Sequence, residues 1–468
     1  MKKLIFLFFL ISLLSQQVFA TIVEASNPNY AGKTLIFSRY TDPVTSQAEP
    51  LFSLSFDNAG KAKANVDISE VVFVFSDFGV YRGMFFAEPG KTVELQLPPL
   101  REKSFADQKN PFFKPLSFWF NSSSELNKKI SSFDSKFNQL TNQYFNELYF
   151  QQSKSKYDTV VHMLNMEFPV KGNGVFENHK KLKIKILESD VFRLKTENVS
   201  PFLASIKQNY WTTPAFMELF DKNFSNKLSF DAKKIKGSEL KKAIAENNMN
   251  FLLNHVKTKY GLNGSIAELA ALKMLHDGFY SGDFSKSSIL SLLESETLAK
   301  SNDKMIREIT KNVSKKLKFL LPGSQAPVIC LPNIDGIQKC SNENKDKFKY
   351  LVFADAEMMV CREQLKYLVN IQKQFQKYLE IILVMRKTDL IEMKMFLVKN
   401  EIPGIKLIDE NGKYIQQYRV RSFPTCLLLD ENHNVIFSEA KAPLDGFEQQ
   451  FGTYLRNELF ERQRNQSR

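Results

Sequence analysis

KYLVFADAEMMVC, residues 349–361, is the most informative stretch of this 468-residue chain. Its first half is a short apolar run, which predicts a buried β-strand followed by a loop. After Cys361, apolar residues recur at the spacing of one helix face: Leu365, Leu368 and Phe375. A strand, a loop and a helix starting near Cys361 would present a Cys-x-x-Cys motif if residue 358 were cysteine. That residue is Met358, and a thioether neither ionises to a thiolate nor forms a mixed disulfide.

The sequence after this stretch continues to alternate between strand and helix patterns. Apolar runs predict strands at residues 380–384, 426–430 and 434–437. Helical spacing predicts helices at residues 393–398 and 447–459. Strands alternating with helices are typical of an α/β domain. We therefore predict an α/β domain over residues 318–468.

Cys330 and Cys340 lie on the two sides of a predicted hairpin whose turn contains Asp335 and Gly336. Glycine suits the left-handed conformation that such a turn requires. A hairpin centred on Asp335 sets the two cysteines directly opposite each other, within bonding distance across the strands. We therefore predict a structural disulfide, with two free thiols as the alternative. Closing this short loop is expected to stabilise the domain by about 2–3 kcal/mol.

The N-terminal part of the chain has the period-two pattern of half-buried strands. It occurs at residues 34–37, 51–56, 71–75 and 93–97. Turn signals such as Asp57-Asn58-Ala59-Gly60 separate these segments. We predict an antiparallel, sandwich-like β-domain over residues 21–115.

From residue 116 to residue 317 the pattern changes to helical spacing. One apolar stripe consists of Leu126, Ile130, Phe133, Phe137 and Leu140. A second consists of Leu252, Val256 and Tyr260. The stripes show no fixed period, so a helical repeat protein is disfavoured. The predicted fold class is a multidomain α+β protein: an N-terminal β-domain, a central α-helical region and a C-terminal α/β domain.

Residues 1–20 have the parts of a secretory signal: two basic residues, an apolar run and small residues at the end. The apolar run is too short to span a bilayer, and no later stretch is long enough. We therefore expect an exported chain, periplasmic or secreted, that is soluble after signal cleavage. All four cysteines lie in the last third, which places any redox or disulfide chemistry in the final domain.

The formal net charge of +13 does not indicate nucleic-acid binding, because lysine and arginine are spread along the chain and mixed with acidic residues. The five histidines are scattered without metal-ligand spacing, so no metal is predicted. No motif indicates a cofactor, and nothing in the sequence indicates an oligomeric state.

The C-terminal pattern resembles the TlpA-like branch of the thioredoxin superfamily over residues 318–460. The matching segments are residues 323–327, residues 418–420 followed by Phe423-Pro424-Thr425, and residues 429–432. The resemblance implies a thioredoxin-like fold in which Phe423, Pro424 and Thr425 form the cis-proline loop that faces the Cys-x-x-Cys motif. Weaker matches at residues 79–91 and 275–280 resemble the β-domain and helical insert of exported Gram-negative proteins of this family.

The chain departs from this family at the position that performs the chemistry. In the family the first cysteine attacks a disulfide and the second resolves the intermediate, and the helix N-terminus stabilises the attacking thiolate. Here Met358 occupies the first position and Cys361 the second. Glu357 and Ala354 stand where tryptophans often do, and Val352 stands where classical thioredoxins have a buried carboxylate. Dithiol exchange as the family performs it is therefore not expected.

Three interpretations of Cys361 remain open. The favoured one is a buried structural thiol. The second pairs Cys361 with Cys426 as a relocated redox couple beneath the active-site loop. The third is peroxidatic, because Phe353 and Cys361 have the spacing seen in peroxiredoxins. It is disfavoured, since those enzymes carry Pro and Thr at the positions of Ala354 and Met358.

The expected function is non-catalytic binding of a polypeptide partner, since a cis-proline loop can pair with an extended peptide through backbone hydrogen bonds. The alternative is a residual thiol–disulfide oxidoreductase that uses Cys361 with Cys426. Fold analogy does not choose between them, because one fold supports many functions.

Overall fold

The computed structural model describes residues 21–110, 113–170, 172, 174–234, 237–386 and 389–466, and the predicted signal segment at residues 1–20 lies outside them. The chain forms two compact units, Met1–Ser314 and Lys315–Arg468. Within the described residues, no helix has the length and apolar content needed to cross a membrane.

The first unit begins with two β-sheets. Their strands are β1 (Thr21–Ser26), β2 (Thr34–Tyr40), β3 (Ala48–Ser55), β4 (Lys61–Val66), β5 (Val72–Phe78), β6 (Tyr81–Ala87), β7 (Thr92–Gln96), β8 (Leu116–Trp119) and β9 (Asn121–Ser122). The strand orders are β4-β1-β7-β9 and β3-β2-β5-β6-β8. Most neighbours are antiparallel, whereas β1 with β7 and β6 with β8 are parallel. Val23 of β1 and Phe37 of β2 belong to one buried cluster, so the two sheets share a core.

Helices follow the sheets, except that the first helix lies between β7 and β8 and the last one crosses the boundary between the two units. They are α1 (Phe105–Lys109), α2 (Glu125–Gln143), α3 (Lys154–Glu167), α4 (Val175–Phe192), α5 (Thr196–Ala204), α6 (Pro214–Phe224), α7 (Lys227–Ala232), α8 (Gly237–Ala245), α9 (Met249–Tyr260), α10 (Ser265–Tyr280), α11 (Lys286–Leu293), α12 (Glu296–Ala299) and α13 (Lys304–Lys318). In α2, the Ser124 side chain caps the first turn by accepting from the N–H of Asn127. The predicted stripe residues Ile130, Phe133, Phe137 and Leu140 are buried.

The second unit has a disulfide-closed hairpin and a five-stranded sheet. Its strands are β10 (Cys330–Pro332), β11 (Gln338–Cys340), β12 (Phe348–Ala354), β13 (Leu379–Arg386), β14 (Ile405–Asp409), β15 (Thr425–Leu429) and β16 (Val435–Phe437). Its helices are α14 (Met359–Phe375), α15 (Leu390–Lys399), α16 (Lys413–Gln417) and α17 (Phe447–Gln466). The sheet order is β14-β13-β12-β15-β16, with β12 parallel to β13 and antiparallel to β15.

Strand β12 is the centre of this sheet and is buried along its whole length. Tyr350 and Val352 belong to the apolar cluster that includes Cys361 of α14 and Phe451 of α17. Leu351 and Phe353 belong to a second cluster with Tyr418. Because successive side chains point to opposite faces, an apolar layer forms on each side of the sheet. The predicted fold class is confirmed: β-sheets, a helical region and a thioredoxin-like α/β unit follow one another.

The hairpin prediction is also confirmed. Cys330 pairs with Cys340 across β10 and β11, and the two residues form a disulfide. Gly336 has a φ of +80°, the left-handed conformation expected in the turn.

Gly404, which precedes β14, is expected to tolerate no side chain. Its φ is +87°, and an added Cβ would overlap the main-chain carbonyl oxygen of Ile381 on β13. Gly404→Ala should therefore lower the free energy of unfolding of this unit by about 2 kcal/mol. Gly412→Ala is the matched control, because Gly412 also has a positive φ but an added Cβ there would meet nothing within 4 Å. Hydrogen exchange of β13 peptides measures the difference, and equal effects of the two substitutions would contradict the expectation.

Candidate functional site

In the second unit, two loops meet at one end of the strands of the five-stranded sheet. Strand β12 ends at Ala354 and α14 begins at Met359, so residues 355–358 form the first loop. Thr425 at the start of β15 lies opposite Phe353, near the end of β12. Because the two strands are antiparallel, the loop before Thr425 lies at the same end of the sheet as the loop after β12. The bond between Phe423 and Pro424 in that loop is cis.

Met358 occupies the N-cap of α14, without a side-chain hydrogen bond to the helix. A helix N-terminus stabilises negative charge, and a thiolate here would benefit from it. The thioether of Met358 has no ionised form. The next two side chains, Met359 and Val360, are 71% and 60% exposed. The position that would hold a nucleophile is therefore the start of an exposed apolar surface.

Cys361 lies in the first turn of α14 and is 0% exposed. Burial raises the pKa of its thiol, and the carboxylate of Asp355 raises it further, against a hydrogen bond from the N–H of Asp355. A thiol with a raised pKa is almost entirely protonated at neutral pH. Burial and protonation both oppose a nucleophilic or peroxidatic role.

Cys426 of β15 pairs with Val352 of β12 and is 4% exposed. Burial raises the pKa of its thiol to about 12, the charge of Cys361 adds to the rise, and a hydrogen bond with Tyr350 opposes it. Cys361 and Cys426 pack in the same apolar cluster, and both are free thiols. The structure therefore brings together the two cysteines considered as a redox couple, without a bond between them and without exposure.

Asp355 and Arg386 form an ion pair next to the cis-proline loop. The sequence analysis did not identify this pair. The Arg386 Nη1 atom lies 3.6 Å from Asp355 Oδ2, and the Asp355 side chain is 1% exposed. Asp355 also accepts a hydrogen bond from the N–H of Glu357. The Arg386 guanidinium lies 5.7 Å from the ring centroid of Phe423. The pair thus connects the first loop to the cis-proline loop. In the sequence, the pair is marked by a charged residue directly after each of two apolar runs, Asp355 after the first and Arg386 after the second.

A groove with apolar and charged lining residues adjoins Met359. It has a volume of about 700 Å³ and lies between α14 and α15. Its apolar lining residues are Met359, Met395, Phe396 and Val398, and its charged ones are Arg362, Glu363, Lys366, Glu392, Lys394 and Lys399. Met395 and Val398 are exposed, whereas Met393 and Leu397 of the same helix are buried. Helix α15 is therefore apolar on its outer as well as its inner face.

The disulfide lies apart from these two loops in the chain and belongs to the β10–β11 hairpin. The N–H of Cys330 donates to the Tyr414 hydroxyl of α16. The predicted cis-proline loop residues lie at the sheet edge: Phe423, Pro424 and Thr425 are half-buried, and Ser422 is exposed. Within the described residues, no cluster of histidine, cysteine, aspartate and glutamate could hold a metal ion.

Residues 322–438, a quarter of the chain, match the AhpC/TSA family. With the strand order described above, this match identifies a thioredoxin-like redoxin domain in the second unit. No curated protein matches the chain.

Three similar solved structures each cover between 25% and 28% of this chain. The thioredoxin domain of a thiol-disulfide oxidoreductase from Bacteroides vulgatus is 19% identical, with 28% of this chain and 97% of that chain covered and a TM-score of 0.26. A putative thiol:disulfide interchange protein DsbE from Chlorobium tepidum is 22% identical, with 25% and 83% covered and a TM-score of 0.23. A thiol:disulfide interchange protein from Bacteroides sp. is 22% identical, with 28% and 90% covered and a TM-score of 0.26.

Proposed function

We propose that this chain is an exported protein that binds a polypeptide partner through a thioredoxin-like domain with a degenerate, TlpA-like active site. One observation carries the proposal: the nucleophile position is the exposed Met358, while both free thiols of the domain are buried. The basic and apolar start of the sequence supports export to the periplasm or beyond.

The two loops at the sheet edge supply the binding surface in this proposal. An extended peptide pairs with the backbone of the partly exposed loop that precedes Thr425, as in strand addition. Met358, Met359 and Val360 then contact its apolar side chains. Methionine is unbranched and polarizable, so it adapts to partners of different shape. The groove along α15 continues from this surface and adds Met395 and Val398, together with the charged side chains of its lining.

Met359→Glu is expected to weaken peptide binding at least tenfold, because it places a carboxylate in the middle of the apolar surface. An acidic residue in the first turn is favourable for α14, so folding should be preserved. Extended peptides selected on the wild-type chain from a phage-displayed random library serve as ligands, and fluorescence anisotropy measures their affinity. Phe460→Glu is the matched control, because Phe460 has a similar exposure, 64% against 71% for Met359, but lies on α17. Equal affinities of the two variants would contradict the proposed surface.

The alternative function is a residual thiol–disulfide oxidoreductase. The shared cluster of Cys361 and Cys426 favours it, because two thiols packed together are candidates for a bond. Cys361→Ser separates the two functions. Under the binding proposal this variant keeps the affinity for the selected peptides, and under the alternative it loses all thiol–disulfide exchange.

A further inference from the structure

The helical region of the first unit contains a cavity whose lining carries more basic than acidic side chains. The cavity has a volume of about 520 Å³ and is lined by residues of α4, α5, α6, α7 and α9 and of the segment that joins α4 to α5. Pockets for small molecules have volumes of about 300–1,000 Å³. Five lysine or arginine side chains and three acidic side chains line it.

Two of the three acidic side chains already have cationic partners. Asp190 is paired with Lys222. Asp231 is almost fully buried and accepts hydrogen bonds from His255 Nε2 at 2.8 Å and from the Tyr260 hydroxyl at 2.5 Å. It also pairs with Lys259. Burial alone would raise the pKa of Asp231, but these hydrogen bonds hold that pKa at about 2. Asp231 is therefore a fixed, compensated carboxylate at the wall of the cavity.

Four lining cations remain: Arg193, Lys195, Lys227 and Lys234. None of them forms an ion pair with any residue that the structure describes. Glu197 is the third acidic lining residue and interacts electrostatically with Lys227. Burial lowers the pKa of Lys227, and the charges of Lys259 and Lys234 also lower it, against Asp231 and Glu197. The cavity thus holds like charges close together without enough carboxylates to balance them.

Phe230 positions two of these cations. Its ring is 56% exposed, and the ammonium groups of Lys234 and Lys227 lie 4.5 Å and 5.2 Å from the ring centroid. Cation–π attraction at such distances restrains a lysine side chain. The ammonium groups are therefore partly oriented before any ligand arrives, which lowers the entropic cost of binding an anion.

We infer that this cavity binds a small polyanion, a molecule with several phosphate or carboxylate oxygens. Such a ligand neutralises the excess of cations at Arg193, Lys195, Lys227 and Lys234. It does so without displacing Asp231 from its three donors. The site belongs to the first unit, whereas the polypeptide-binding surface proposed above belongs to the second.

Isothermal titration calorimetry of the purified chain at 0.15 M ionic strength, with inorganic pyrophosphate and with citrate as probes, tests this site. We expect one site with a dissociation constant of about 1 mM or tighter for at least one probe. Binding of pyrophosphate alone indicates a phosphate ligand, binding of citrate alone a carboxylate ligand, and binding of both a site for either. Failure of both probes to bind would overturn the inference.

Lys227→Ala should weaken the binding about tenfold, because it removes the most enclosed of the four cations. The Lys227→Ala variant should fold normally. Burial lowers the pKa of Lys227, which means that the charged form is disfavoured there, so removing this charge does not destabilise the fold. Lys195→Ala, at an exposed position, is a second variant with the same expected direction. Lys241→Ala is the control, because it removes an equal charge from an exposed position of α8 that does not line the cavity. Equal weakening by Lys227→Ala and Lys241→Ala would show binding by overall charge only and would overturn the inference.

Discussion

Met358→Cys is expected to give the chain a thiol–disulfide exchange activity that, under the proposed function, the wild-type chain lacks. The new cysteine would occupy the N-cap of α14, where the helix N-terminus lowers a thiol pKa, and would lie three residues before Cys361. We expect it to react with iodoacetamide at pH 7 about a hundredfold faster than Cys361 does in the wild-type chain. Turbidimetric reduction of insulin by dithiothreitol should be accelerated by this variant and not by the wild-type chain.

Met359→Cys is the control for this result. It also places a thiol on the exposed start of α14, but only two residues before Cys361. Its thiol should be alkylated readily while insulin reduction stays at the background rate. If the wild-type chain reduced insulin as fast as Met358→Cys does, the claim that methionine at position 358 prevents thiol–disulfide exchange would be wrong.

Arg386→Met is expected to lower the free energy of unfolding of the second unit by about 3–4 kcal/mol. The substitution removes the cation that pairs with the buried carboxylate of Asp355, and breaking a buried ion pair by removing one partner is strongly destabilising. Both tryptophans, Trp119 and Trp211, lie in the first unit, so their fluorescence does not report on this change. Hydrogen exchange of β12 and β13 peptides, followed by mass spectrometry, reports on it directly.

Two further variants make this expectation specific. Asp355→Asn combined with Arg386→Met should recover most of the lost stability, because the buried charge is then absent. Lys394→Met removes the same charge from an exposed ion pair with Asp335, and it should change stability by about 0.5 kcal/mol or less. A similar loss for Lys394→Met and Arg386→Met would contradict the assigned role of the Asp355–Arg386 pair.

Local patterns explain which parts of the fold were predictable. Strand β12, helix α14 and the Cys330–Cys340 hairpin follow from periodicity and turn chemistry within a few tens of residues. Strand β14 was not predicted, because its segment Ile405–Asp409 is short and interrupted by Lys406. It is held by parallel pairing with β13, which local sequence does not reveal. Helix α16 was also missed, because its five residues are too short a segment to show helical spacing.

The candidate site was predictable only where its residues are adjacent in the chain. Met358 and Cys361 share one segment, and the cis-proline loop was recognised from the family resemblance. The contact of Arg386 with Asp355 and Phe423 joins three separate segments through sheet pairing. The exposed apolar face of α15 was also missed, because helical spacing alone does not show which of two apolar faces is buried.

Differential alkylation with mass spectrometry, on the folded chain before and after mild reduction, is the measurement to make first. Our account predicts that Cys361 and Cys426 stay unmodified free thiols in both conditions and react only after denaturation. Cys330 and Cys340 should be recovered as a disulfide before reduction. Recovery of a Cys361–Cys426 disulfide that mild reductant opens readily would contradict non-catalytic binding and establish a working redox couple in this domain.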